Sequence, residues 1–162
     1  TPAPWQRGLV LPARALETPG ARLRPSSPVM RCEQAAALAF WLRHDVQPAA
    51  KELLGSPVVG IRHMGTYHCR AIRGSRLTRV KMPSQHAFAN AIDIGGFVLA
   101  NGHNVDRLRD LRGGAKGQFL RRVYAASCGW FRVKLGPSSN RGHRDHFHLD
   151  RGWAFSRCAS SG

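Results

Sequence analysis

Two segments of the chain concentrate residues that can bind a metal or move a proton. One is Ser84-Gln85-His86-Ala87-Phe88-Ala89-Asn90-Ala91-Ile92-Asp93, the other His143-Arg144-Asp145-His146-Phe147-His148-Leu149-Asp150. Side chains on a strand alternate between faces. His146 and His148 therefore share one face, and Phe147 and Leu149 take the other, where an apolar core would want them. Two imidazoles about 7 Å apart along a strand can reach a common site, and His143 could approach it from the preceding turn. In the first segment Ile92 and Ile94 share a face, which sets Asp93 on the opposite one. His86 lies too far from Asp93 along a straight strand to meet it, and a bend over residues 87–90 would bring it back.

Imidazole plus carboxylate is a normal ligand mix for Zn2+. Three protein ligands, His86, Asp93 and His148, would leave a fourth position for water, the pattern of a catalytic zinc rather than a structural one. Zinc lowers the pKa of such a water toward about 7 and polarises a carbonyl. The same residues also fit a blander reading, with an HxH pair as two surface histidines and the His-rich block as a basic surface loop. Against that, three of the eight His fall within six residues, and Asp145 and Asp150 sit among them in a chain with only nine acids.

The elements that must position these groups can be read from periodicity. Residues 32–44 have high helix propensity and an apolar face. Pro48 can open a second short helix over 48–54, and Gly55 can close it. Residues 57–63 and 66–72 read as strands around a Met64-Gly65 turn, residues 91–99 as a strand, and Asn101-Gly102 as a hairpin turn. Residues 116–127 read as a helix, and 130–135 and 145–150 as two further strands. The class is α+β, a small, mainly antiparallel sheet with helices packed on one side. Residues 1–30, with six prolines and no periodicity, read as an N-terminal tail. Order is expected from near Cys32, a single domain over 31–158, and a short tail over 159–162.

The 162 residues carry 25 Lys and Arg against 9 Asp and Glu, a net charge of +16. Such a field attracts nucleic acid, anionic membrane or acidic wall polymer. The longest apolar run, Ala35 to Leu42, is far below the ~20 residues of a membrane span. Residue 1 is Thr and no signal sequence is present, as in an exported chain whose leader has been removed. Cys32, Cys69, Cys128 and Cys158, with no CxxC, fit two disulfides and an oxidising compartment, in any of three pairings. The cysteines lack zinc-finger spacing and no nucleic-acid recognition motif is present, so specific nucleic-acid binding is not expected. His44, His63, His68 and His103 read as ordinary surface or helix-end residues, Trp41 and Trp130 as core, and Asp106 and Asp110 as ion-pair partners of Arg107, Arg109 or Arg112.

SxHxxxxAxD followed by an HxH strand resembles the zinc peptidases that cleave peptidoglycan stem peptides. These include the D-Ala-D-Ala carboxypeptidases and dipeptidases and the penicillin-insensitive murein endopeptidases. His143-x-x-His146-x-His148 is similar to the endopeptidase branch. The closer resemblance is to the bacterial extensin-like protein C-terminal domain, carried by residues 46–55 (VQPAAKELLG), 65–70 (GTYHCR), 84–97 (SQHAFANAIDIGGF), 119–128 (FLRRVYAASC) and 135–150 (LGPSSNRGHRDHFHLD).

The resemblance implies a zinc-peptidase fold, with His86, Asp93 and His148 as zinc ligands. Asp145 stands where the carboxypeptidases have their general base, and His146 matches a non-ligating histidine that can act as base or stabilise an oxyanion. Arg70 matches a substrate-polarising arginine. Ser84 would position the His86 loop, and Ser84 and His143 would line the substrate side. Where the family has Gly, three residues after the first His, this chain has Ala89, unfavourable if the position needs positive φ. The implied activity is hydrolysis of a peptide bond in the peptidoglycan stem or cross-link, in the periplasm or cell envelope, with the anionic wall as partner. Two other expectations remain beside it, a non-catalytic zinc-containing wall-binding module and a basic nucleic-acid-binding protein.

Overall fold

In the computed structural model, which describes residues 10–11, 21–26, 28–72, 83–139, 141–152 and 158, the helical run after Cys32 does not stop before Pro48. Helix α1 (Cys32–Trp41) passes through one π-helical turn (Leu42–Val46) straight into α2 (Gln47–Leu54). Proline has no amide hydrogen to give a helix. The chain widens just before it, the Gln47 N–H bonding the Leu42 carbonyl five residues back, so Pro48 enters near the start of a fresh segment. Gly55, in the left-handed conformation at φ 65°, ends α2, its N–H bonding the Lys51 carbonyl as helix-terminating glycines do.

The class is α+β, as expected. The strands are β1 (Val10–Leu11), β2 (Arg22–Arg24), β3 (Met30–Arg31), β4 (Val58–Gly65), β5 (Ala91–Leu99), β6 (Asn104–Asp106), β7 (Val133–Leu135) and β8 (Phe147–Asp150). The main sheet runs β2-β4-β5-β8-β7, with β6 also on β5. Every pair in it is antiparallel except β2–β4, and β1 pairs with β3 apart from it. The hairpin turn at Asn101-Gly102 forms as expected, with Gly102 at φ 85° between β5 and β6. Helix α3 (Arg107–Asp110) is a single turn, and α4 (Gly114–Ala126) covers the segment predicted helical.

One core ties helices to sheet. Leu38, Trp41, Ala49, Phe119, Leu120 and Val123 from α1, α2 and α4 pack against Ile92, Ile94, Phe97, Phe147 and Leu149 from β5 and β8. Trp41 is fully buried, its ring against Phe97 and Phe131, its indole N–H on the Val123 carbonyl. Trp130 packs at the edge of this core, stacked with Phe40 and His44. With the isoleucines of β5 and the apolar residues of β8 turned to the helices, Asp93 and His148 face the other way, directly opposite each other in register. Pairing β5 with β8 therefore brings the two chemical segments together.

Several local expectations differ from the structure: β4 runs on through Met64 and Gly65, where a turn was expected, and the strand expected over 145–150 begins at Phe147. Residues 66–72 form no strand, since their backbone is claimed by the His86 loop: His68 N–H bonds the His86 carbonyl, and Ser84 N–H the Arg70 carbonyl. Only an isolated bridge, Ala71 to Pro83, remains. Residues 130–135 are strand only from Val133, because α4 unwinds through a 3-10 turn at Ser127–Gly129. Pairing begins before Cys32, with Ala21 and Met30 buried. Lastly, of two expected disulfides one forms, Cys128–Cys158. Cys69 is an exposed thiol, and Cys32, also a thiol, is half-buried at the start of α1.

Candidate metal centre

The approach of His86 depends on a tight turn. Ser84 caps the 3-10 turn Gln85–Phe88, its hydroxyl accepting from the His86 N–H at 3.3 Å. The turn ends at Ala89, which takes φ 53° and ψ 31°. This is the left-handed conformation, normally a glycine position. The departure from glycine leaves the bend in place, and the chain reverses into β5 with His86 folded back over Asp93.

His86 Nε2 lies 3.2 Å from Asp93 Oδ2 and 3.2 Å from His148 Nδ1, and His148 Nδ1 lies 2.9 Å from Asp93 Oδ1. All three residues are buried, and theirs is the group of His, Cys, Asp or Glu side chains among the described residues that could hold a metal ion.

The outer nitrogens decide what the inner ones are. His86 Nδ1 donates to the Thr66 carbonyl at 3.1 Å, and His148 Nε2 donates to Asp150 Oδ2 at 2.7 Å. A carbonyl and a carboxylate only accept, so each neutral ring turns a lone pair inward. Two nitrogen lone pairs and a carboxylate then face one another at hydrogen-bond distance. Only a cation, a proton or a metal ion, reconciles them. Metal-ligating histidines typically show this same outer support. Asp150 is itself fixed, its second oxygen accepting from the Gly152 N–H at 2.7 Å.

Without a metal, the proton does the work. Burial opposes a charge on His148, but hydrogen bonds to Asp150 and Asp93 outweigh it and raise its pKa to about 9. Burial likewise works against the Asp93 carboxylate, and the two imidazoles holding it bring its pKa far below the usual range.

His146 precedes β8 rather than lying in it, yet it reaches the same face. Its Nε2 is 3.6 Å from Asp93 Oδ1, and its Nδ1 meets Asp145 Oδ1 at 2.9 Å. That bond holds Asp145 below its usual pKa. The two candidate bases thus stand in series, His146 toward the centre and Asp145 behind it. His143, on the turn Arg141–His143, packs its ring against His146 and His148. Burial, helped by those two imidazoles, pulls its pKa down to about 4, and the charge of Arg70 acts in the same direction; the Arg70 guanidinium itself donates from Nη1 to the Ala71 carbonyl at 3.5 Å.

Sequence reading passed over Thr66 and Asp150 as functional residues. Asp150 had a signal in the alternation His146-x-His148-x-Asp150, which places its carboxylate on the ligand face; a backbone carbonyl such as that of Thr66 has none. His68 is exposed, as expected, and sets its ring edge-on to His86 at 5.8 Å. Asp106 and Asp110 are structural, although the partner of Asp106 is Arg62 and those of Asp110 are Arg109 and Lys116.

The family model described as extensin-like protein C-terminus matches residues 9–158. No curated protein and no solved structure matches the chain.

Proposed function

The chain belongs to the extensin-like protein C-terminus family, and from that premise we propose that it is a zinc-dependent peptidase acting on a peptide bond of the peptidoglycan stem or cross-link. The observation that carries this reading is the inward convergence of two outward-anchored imidazoles on one carboxylate. Two imidazole nitrogens and a carboxylate oxygen suit Zn2+. Bound there by His86 Nε2, Asp93 and His148 Nδ1, the metal would acidify water and polarise the substrate carbonyl.

The remaining steps belong to the chain's own groups. His146 Nε2 takes the proton of the attacking water and returns it to the leaving amine. A positioned imidazole suits both roles. Asp145 holds the opposite nitrogen, which keeps Nε2 free for the proton and steadies the imidazolium that forms. Arg70 offers positive charge to the carbonyl oxygen as it becomes an oxyanion. His143, kept neutral by burial and its neighbours, lines the entry beside His146.

The net charge of +16 supports retention on an anionic wall polymer. The disulfide supports an oxidising location such as the periplasm or cell envelope. Among the described residues no helix is long and apolar enough to cross a membrane.

The test is metal analysis of protein purified without added metal, followed by digestion of purified muropeptides and mass spectrometry of the products. About one zinc per chain and a hydrolysed peptide bond are expected. Full activity in His148→Ala and Asp93→Ala would overturn the assignment, and bound zinc with no product would favour a wall-binding module instead.

A further inference from the structure

Arg107 is the one arginine buried to 2% exposure among the described residues, and it is poorly partnered. Its Nη1 donates to the Arg144 carbonyl at 2.7 Å, while Nε and Nη2 have no hydrogen-bond partner. No carboxylate of the described residues forms an ion pair with it. Its guanidinium lies 5.2 Å from the centre of the Phe147 ring. Burying a guanidinium without a paired anion is costly, and an apolar side chain of similar length would serve packing better. Such a group in a well-packed fold asks for another role.

Its contacts indicate which. Arg144, Asp145, His146 and Phe147 are consecutive. Arg107 grips the backbone at the first and lies over the ring of the last, so it spans the two residues between. Burial lowers the Arg107 pKa, and Asp145 leads the charges that act against that. That segment is not sheet-paired until Phe147, so its geometry has to be imposed from outside.

We infer that Arg107 is a positioning residue that clamps the Arg144–Phe147 turn and thereby aims His146 Nε2 at Asp93. The contacts of the clamp are with the Arg144 carbonyl and the Phe147 ring rather than with His86, Asp93 or His148, so metal content is expected to be independent of it. The inference rests on the reading of His146 as the proton-transferring group for its kinetic arm, but not for its structural one.

Arg107→Met and Arg107→Lys separate the roles. Methionine fills the volume and keeps contact with Phe147 but cannot donate, and lysine can restore one bond to the Arg144 carbonyl. Arg107→Met is expected to melt at or above the wild-type temperature and to keep its zinc. Nitrogen NMR of the histidine rings should show His146 losing its Nδ1–H bond to Asp145, with lysine recovering it in part. On muropeptides kcat should fall at least tenfold in Arg107→Met with KM within about twofold, and recover partly in Arg107→Lys. An unchanged His146 ring state in Arg107→Met, or a melting temperature that falls in both variants in step with activity, overturns the inference. If wild-type protein cleaves no muropeptide, the peptidase reading fails and the ring measurement alone decides the clamp.

Discussion

His148 Nε2 stands 2.7 Å from Asp150 Oδ2, two residues further along the same strand. The strand alternation that turns His148 toward Asp93 puts its support on the same face. The bond sets which nitrogen of His148 turns toward Asp93 and makes that nitrogen more basic.

Asp150→Asn keeps the shape but gives up the charge and offers the ring an amide that can turn either way. Zinc affinity should fall about 10–100-fold, the usual effect of losing an outer partner, with the fold retained. Competition against a chromogenic chelator measures it. An unchanged affinity would show that Asp150 does not tune the ligand.

Metal binding should be coupled to proton release. The metal-free centre holds a proton on His148 up to pH about 9, and a metal at Nδ1 must displace it. Affinity should therefore weaken about tenfold for each pH unit below 9 on this account. The stability that a raised pKa gives the metal-free fold is fully present below the unfolded value of about 6.5 and is lost as pH rises through about 9. Calorimetry in buffers of different ionisation heat should count about one proton released at pH 7.5. A count of zero would remove His148 as a proton-bearing ligand.

His146 and Asp145 should differ in weight. His146→Ala removes the group facing the centre and should lower kcat on muropeptides by about 10²–10⁴-fold, the range for a general base. Asp145→Ala leaves the imidazole in place but unanchored and should cost less, while both variants keep their metal. A larger loss for Asp145→Ala would reverse the order of the two.

Ala89→Gly tests the bend. The left-handed conformation costs a residue with a Cβ about 1–2 kcal/mol, and glycine's greater freedom in the unfolded chain takes back about 0.4–1 kcal/mol. A net gain of about 0–1.6 kcal/mol is expected, read as an unchanged or higher melting temperature. Ala89→Val, β-branched in the same conformation, should melt clearly lower. Similar losses in both variants would mean that the methyl's burial, and not the backbone, sets the behaviour.

Much of the centre was legible before any fold was known. Phe147 and Leu149 reach the core and His148 the opposite face because a strand's alternation is local and depends on nothing distant. The same holds for Ile92, Ile94 and Asp93. The strand expected at 66–72 failed for the converse reason. Its sequence suits a strand, but a strand needs a partner, and the His86 loop took its hydrogen bonds first. Pro48 and Gly55 bound the second helix as expected, because a proline near a helix start and a left-handed glycine at its end act locally, but the π-turn that joins this helix to the first had no signal in the sequence.

The amino-acid order by itself determined the chemical types, their spacing and the faces they take on β5 and β8, since those follow from backbone geometry within a few residues. Only the tertiary structure decided that Asp93 and His148 stand opposite in register, and that His86 folds back through Ala89 to meet them. It alone decided that His146 rather than Asp145 faces the centre, and that Arg107 is buried behind the turn carrying both. These depend on which strands pair and which loops compete for the same hydrogen bonds, and such competition is settled between segments far apart in the chain.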